Sequence, residues 1–177
     1  PEFNKSGTDF FMVKRDTAVD ISQSIVDLFI NRLPKAYKYN SLYQIQILSP
    51  TRKGITGVNE LNTALQRVIN PPDKKKKEKA FKSITFREGD KVMQIRNNYQ
   101  LEWEIVSKYN IPIDRGMGVF NGDVGRVKEI REYAEQIVVE FEEGKKVTYS
   151  FSGLEELELA YAITVHKSQG SEFKAVI

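Results

Sequence analysis

An α/β domain interrupted by a small β-barrel is the fold class that this 177-residue sequence predicts. Three observations lead to it. Short apolar strand candidates alternate with amphipathic helical stretches over the first 70 residues, which is the order that builds parallel sheets with crossover helices. From about residue 86 the period changes from helical to alternating, and several short strands with turn signals crowd into about 65 residues. An apolar run then returns at Leu159–Val165 and ends in a polar loop, as in open α/β sheets, whose ligands sit at the carboxyl ends of strands.

Phe10–Lys14 is the first strand candidate. A helix follows from about Thr17 to Arg32. Ala18, Ile21, Ile25, Leu28 and Phe29 keep helical spacing, Thr17 and Asp20 form a capping-box pattern, and Leu33-Pro34 is expected to close it. Ile45–Leu48 reads as a second, buried strand stopped by Ser49-Pro50. After a loop at Thr51–Thr56, a second helix spans Val58–Ile69, with Leu61, Leu65 and Val68 on one face and Asn70-Pro71-Pro72 as its stop. The charge run DKKKKEK at Asp73–Lys79 reads as a solvated linker, with phosphate contact as the alternative.

Lys91–Arg96, Val124–Ile130, Gln136–Glu142 and Lys145–Phe151 are the strand candidates of the interruption. Glu143-Gly144 marks a hairpin between the last two, and NGDVG at Asn121–Gly125 marks a turn. Short strands at this density suggest a barrel of the SH3-like kind. Asn97–Asp114 reads as a long loop of that barrel, because Leu101, Trp103, Ile105 and Val106 match neither period. The expected organisation is one α/β unit made of residues 1–85 and 154–177, with residues 86–153 inserted.

Composition narrows the function classes. With no cysteine and one histidine, thiolate and multi-histidine metal sites are excluded. No apolar run approaches membrane-spanning length and no signal peptide is recognisable, so a soluble, cytoplasmic protein without membrane contact is expected. Net charge is only +3, but it is uneven: Lys and Arg outnumber Asp and Glu by 15 to 8 in residues 1–85, and are outnumbered 12 to 10 in 86–153 and 4 to 2 in 154–177. No G-x-x-x-x-G-K-[ST] phosphate loop occurs in the chain.

The polar run after the last buried strand carries the densest chemistry. Thr164, His166, Lys167, Ser168 and Gln169 present hydroxyl, amide and cationic donors suited to phosphates, and Gly170 allows a close turn. His166 as a general base would need a nucleophile and an orienting acid, and no such set is visible. Arg96, Asn98 and Tyr99 place an aromatic beside amide and guanidinium groups, which suits a single strand or simply a packed loop. Trp103 is read as core, with base stacking as the alternative. Arg52 lies in the loop SPTRKG directly after a buried strand.

The segments IQILSPTRKGITGVNELNTALQRVINP, FREGDKVMQIRNNYQLEWE, GVFNGDVGRV and AYAITVHKSQGSEFKAVI, in that order, resemble the RecD/TraA group of superfamily 1 DNA helicases, which includes the exodeoxyribonuclease V alpha subunit. The resemblance covers nearly the whole chain. It implies a second RecA-like motor domain of the P-loop NTPase type that lacks the P-loop and carries the SH3-like insert. Arg52 would then face the γ-phosphate of ATP, Gly170 and Glu172 would face the nucleotide, and Thr164 to Gln169 would hold single-stranded DNA. The expected parent is an ATP-dependent 5′ to 3′ helicase of DNA recombination and repair. It would use ATP and Mg2+, with single-stranded DNA, a first motor domain of the same chain and DNA-repair proteins as partners. The fragment, ending inside an apolar strand at Ile177, is expected to be inactive alone and to hold no cofactor tightly. The competing reading is a non-motor nucleic-acid-binding or protein-docking module built on the SH3-like barrel.

Overall fold

A computed structural model describes residues 9–109 and 111–177; the first eight residues of the expected 1–85 segment and Asn110 of the expected loop lie outside it. Among the described residues the fold is mixed α/β, with a three-stranded parallel sheet, a seven-stranded antiparallel sheet and a separate hairpin.

Thr17 caps α1 (Ala18–Asp27) as the sequence announces, its hydroxyl accepting from the Asp20 N–H at 3.1 Å; the Asp20 carboxylate accepts from that same hydroxyl at 2.7 Å and not from the Thr17 N–H that a full capping box would use. The chain does not stop at Leu33-Pro34. A π turn at Leu28–Arg32 leads into α2 (Leu33–Tyr37), and Lys38 ends it in the left-handed conformation. Pro34 lacks an N–H and would crowd the preceding turn of an α-helix, and the wider turn accommodates it. Phe10–Lys14 is not a strand; Phe10, Phe11, Met12 and Val13 are exposed and outside both sheets.

The short α3 (Ser41–Gln44) delivers β1 (Ile45–Ser49), and α4 (Val58–Ile69) follows with the predicted limits. Val58, Leu61, Asn62, Leu65 and Gln66 form its buried stripe, whereas Val68, on the rim of that stripe, is exposed. The lysine run is not a free linker. It turns at Asp73–Lys76 and enters a hairpin of β2 (Glu78–Phe81) and β3 (Ile84–Arg87), with the Lys76 ammonium bonded to Asn70 Oδ1.

The antiparallel sheet contains β4 (Lys91–Gln94), β5 (Asn98–Val106), β6 (Pro112–Val119), β7 (Val124–Arg131), β8 (Gln136–Phe141), β9 (Lys146–Ser150) and β10 (Leu157–Leu159), in the spatial order β10-β4-β7-β8-β9-β5-β6. It is open. The predicted closed SH3-like barrel is therefore corrected: β10 and β6 are the two edges and are not bonded to each other. β5 meets β9 over only two register pairs, Trp103 with Val147 and Glu104 with Lys146, and gives most of its length to β6, whose other side is left as an edge of the sheet. The loop expected at Asn97–Asp114 is thus most of this β5–β6 ribbon. Leu101, Trp103 and Ile105 do alternate along it, and a register shift at Val106 breaks the pattern. Trp103 lies over Gly116, where a Cβ would sit 2.3 Å from the indole.

The apolar run expected as one strand is split. β10 belongs to the antiparallel sheet, Ala160 and Tyr161 cross between sheets fully buried, and β11 (Ala162–Thr164) joins the parallel sheet. That sheet has the order β11-β1-β12, with β12 at Ala175–Val176. Asn62 of α4 clasps the crossing, donating to the carbonyls of Leu159 and Ala162 at 2.9 Å each and accepting from the Ala162 N–H at 2.8 Å.

Two polar networks lie inside the core that joins the sheets. Asp90, without exposure, accepts from Gln66, Asn70, the Arg87 N–H and the Tyr161 hydroxyl. Beside it, Lys91 donates to Gln46 Oε1 at 3.0 Å, and burial lowers its pKa from 10.5 to about 8. Between those values the unfolded chain binds the proton that the folded chain has released, so this group makes stability rise with pH from about 8 toward 10.5. Tyr161 and Tyr149, raised by burial, work against it above pH 10. Lys91→Met is expected to remove the rise while leaving the tyrosine-driven fall, measured as the difference between the two urea-midpoint profiles over that range. Parallel profiles would show that Lys91 titrates as it does in the unfolded chain.

Candidate nucleic-acid interface

Parallel neighbours end at the same edge of a sheet, and β1 and β11 are such neighbours, with Ser49 in register with Thr164. The loop carrying Arg52 and the turn at Val165–Ser168 therefore emerge side by side. A small cleft between them is lined by Arg52, Thr164, Lys167 and Glu158, over a floor of Val58, Met93, Leu159, Ala162 and Ile163. The topology thus brings together residues 52–58 and 158–167, which lie more than 100 positions apart on average in sequence.

Arg52 is half-exposed and paired with Glu158 of β10, so a strand of the antiparallel sheet holds the guanidinium. Lys167 is held differently. Its ammonium donates to the Ile95 carbonyl at 3.3 Å and to Asn121 Oδ1, both neutral oxygens, and among the described residues no carboxylate is ion-paired with it. Thr164 ends β11, half-buried, at the cleft. His166 and Gln169 are exposed, and Ser168 gives its hydroxyl proton to the Val165 carbonyl at 2.7 Å. Gly170 has φ +85 with open space where a Cβ would be. Gly170 and Glu172 are exposed on the connection to β12 and are not among the residues that line the cleft.

The residues singled out on the antiparallel sheet divide. Arg96 pairs with Glu155 at 3.4 Å. Asn98 donates to both carboxylate oxygens of Glu156 at 3.1 Å and accepts from the Gln100 N–H, so its amide is engaged internally. Tyr99 stays in solvent, 68% exposed, edge-on to Phe120. Through Asn121, next to Phe120, Lys167 links this aromatic pair to the cleft. Glu158, Glu156 and Phe120 escape sequence reasoning, because each acquires its role from a partner far away in the chain; the nearest signal was the NGDVG turn beside Phe120.

Residues 61–141 match the family described as the ATP-dependent RecD-like DNA helicase SH3 domain, a segment running from α4 to the end of β8. Over 133 residues the chain is 32% identical to the ATP-dependent RecD2 DNA helicase of Deinococcus radiodurans, a match covering 75% of this chain and 16% of that protein. The chain is a distant relative of RecD-like superfamily 1 helicases. An uncharacterized protein of Methanocaldococcus jannaschii is 35% identical over 145 residues, covering 76% of this chain and 12% of the relative. The chain therefore spans less than a fifth of the length of these curated relatives. Among solved structures, Pif1 helicases at forked double-stranded DNA align over 95% of this chain and 41% of theirs, with 17% identity and a TM-score of 0.40. Bacteroides Pif1 with ADP-AlF4 aligns over 94% and 44%, with 16% identity and a TM-score of 0.39.

Among the described residues, no group of three or more His, Cys, Asp or Glu side chains is placed to hold a metal ion, and no helix is long and apolar enough to cross a membrane.

Proposed function

We propose that this chain is part of an ATP-dependent 5′ to 3′ DNA helicase, in which it supplies a grip on single-stranded DNA and one side of the ATP cleft. The observation that carries this reading is the shared cleft of Arg52, Thr164 and Lys167 at the carboxyl ends of β1 and β11. Residues 1–85 with 154–177 would act as the motor unit, and residues 86–153 as its insertion.

In this reading Lys167 holds a phosphate, assisted by His166, Ser168, Gln169 and Thr164, and Arg96, Asn98 and Tyr99 extend the contact. ATP, with its Mg2+, would bring the scissile phosphoanhydride from a first motor domain. Arg52 would exchange Glu158 for the charge on the transferred phosphoryl, and Gly170 and Glu172 would face the nucleoside. Because Glu158 and Asn121 both belong to the antiparallel segment, nucleotide and strand would compete with contacts made by the same part of the chain.

Anisotropy of a labelled single-stranded oligonucleotide across a salt series tests the grip. Lys167→Ala is expected to weaken binding and to reduce the slope of log affinity against log salt by about 0.7, the loss of one phosphate contact. An unchanged slope would remove Lys167 from the interface.

A further inference from the structure

Tyr99 and Phe120 are large aromatics left in solvent, 68% and 44% exposed, with ring centroids 5.6 Å apart and planes at 72°. Their supports are fixed. The Phe120 N–H bonds to Asp123 Oδ2 at 2.8 Å, the Asn121 N–H to Asn97 Oδ1 at 2.9 Å, and the Gly122 N–H to the Gln94 carbonyl at 2.9 Å. Gly118, at φ +101, lies under the Phe120 ring, where a Cβ would sit 3.0 Å from Cζ. On the other side, the bonds from Asn98 to Glu156 hold the start of β5. The pair is thus mounted on two anchored turns, so little ordering is needed when a ligand arrives.

What surrounds the pair selects the ligand. Lys167 reaches Asn121, the neighbour of Phe120, and among the described residues no carboxylate is ion-paired with it. Of the nearby acids, Glu155 is ion-paired with Arg96, whereas Glu156 and Asp123 keep their charge and are held in place by neutral donors, Glu156 by Gln94 and Asn98 and Asp123 by the Phe120 N–H. An aromatic face beside such an ammonium fits a base followed by its phosphate, whereas an apolar peptide would leave the ammonium without a use.

We propose that Phe120 and Tyr99 form a stacking platform for one base of single-stranded nucleic acid, with the adjoining phosphate at Lys167. This rests on the strand-grip reading above and adds to it that affinity depends on the presence of bases. Phe120 becomes a binding residue, and the strand passes from the Val165–Ser168 turn over the Phe120–Asp123 turn.

Two labelled strands of about 12 nucleotides separate stacking from phosphate contact: oligothymidine, and an abasic strand with the same sugar-phosphate backbone. The intact chain is expected to prefer oligothymidine by about tenfold. Phe120→Ala should abolish the preference without changing abasic affinity, Tyr99→Ala should reduce it, and Phe120→Trp should restore it. Circular dichroism checks that these exposed positions leave the fold intact. Equal affinity for both strands, with both lost in Lys167→Ala, would overturn stacking and keep the phosphate grip. Binding to neither strand would overturn both, as would a preference that Phe120→Ala leaves untouched overturn the platform.

Discussion

Arg52→Ala, introduced into a longer ATPase that carries this chain as a motor domain, is expected to lower ATP turnover by about a thousandfold or more while sparing single-strand binding. The guanidinium is half-exposed at the cleft and its partner Glu158 is partly exposed, so water can replace each partner when the pair opens. A planar fork matches phosphoryl oxygens in a way a point charge does not, and Arg52→Lys should therefore rescue little of the loss. DNA affinity should survive because the proposed strand grip rests on Lys167, whose bonds among the described residues go to neutral oxygens, and not on Arg52. Steady-state hydrolysis with and without DNA, beside anisotropy on the same preparation, checks both halves. Turnover that persists in Arg52→Ala would refute the assigned role.

The second large effect concerns stability. Asp90→Ala is expected to cost about 3–5 kcal/mol, read as a fall in the urea midpoint, because it strands four donors in a site without solvent. Those donors come from α4 and its C-cap Asn70, from Arg87 at the end of β3 and from Tyr161 in the crossing between sheets, so their loss loosens the junction of the molecule. Burial raises the Asp90 pKa, and the four hydrogen bonds oppose it. Asp90→Asn separates the contributions of size and acceptor chemistry. It preserves volume but turns an amide toward groups that are themselves donors, so it should cost nearly as much as Ala; a stable Asn variant would show that the site does not need four acceptor positions. Desolvation being the larger influence, the folded state holds the Asp90 proton more tightly than the unfolded chain. Its contribution to stability is then present at low pH and declines as pH rises above 3.8.

Local chemistry was sufficient for the features whose causes are near in sequence. The cap at Thr17, the limits of α4 and the Glu143-Gly144 hairpin depend on neighbours three or four residues away, and they stand in the structure as read. So does the polar turn after β11, which follows from a buried strand running out of apolar residues. The β5–β6 ribbon was read as a loop because exposed strands lack a strong burial alternation, and one register shift hides what remains. Pro34 was read as a stop because a widened turn is invisible to a rule that assumes α geometry.

The sequence by itself determined which segments are helix and which are strand over most of the chain, and it singled out Arg52 and Lys167 as candidates. Only the tertiary structure decided how the strands join. Whether seven strands close or stay open depends on what the last one pairs with, and β6 lies far from β10 in the pairing order while β5 holds it on one side. Tertiary structure likewise gave Arg52 its Glu158, Lys167 its Asn121 and Tyr99 its Phe120. The physical reason is the same in each case: periodicity and capping are energies of adjacent residues, whereas sheet order and ion pairing are set by which distant segments the common core brings within reach.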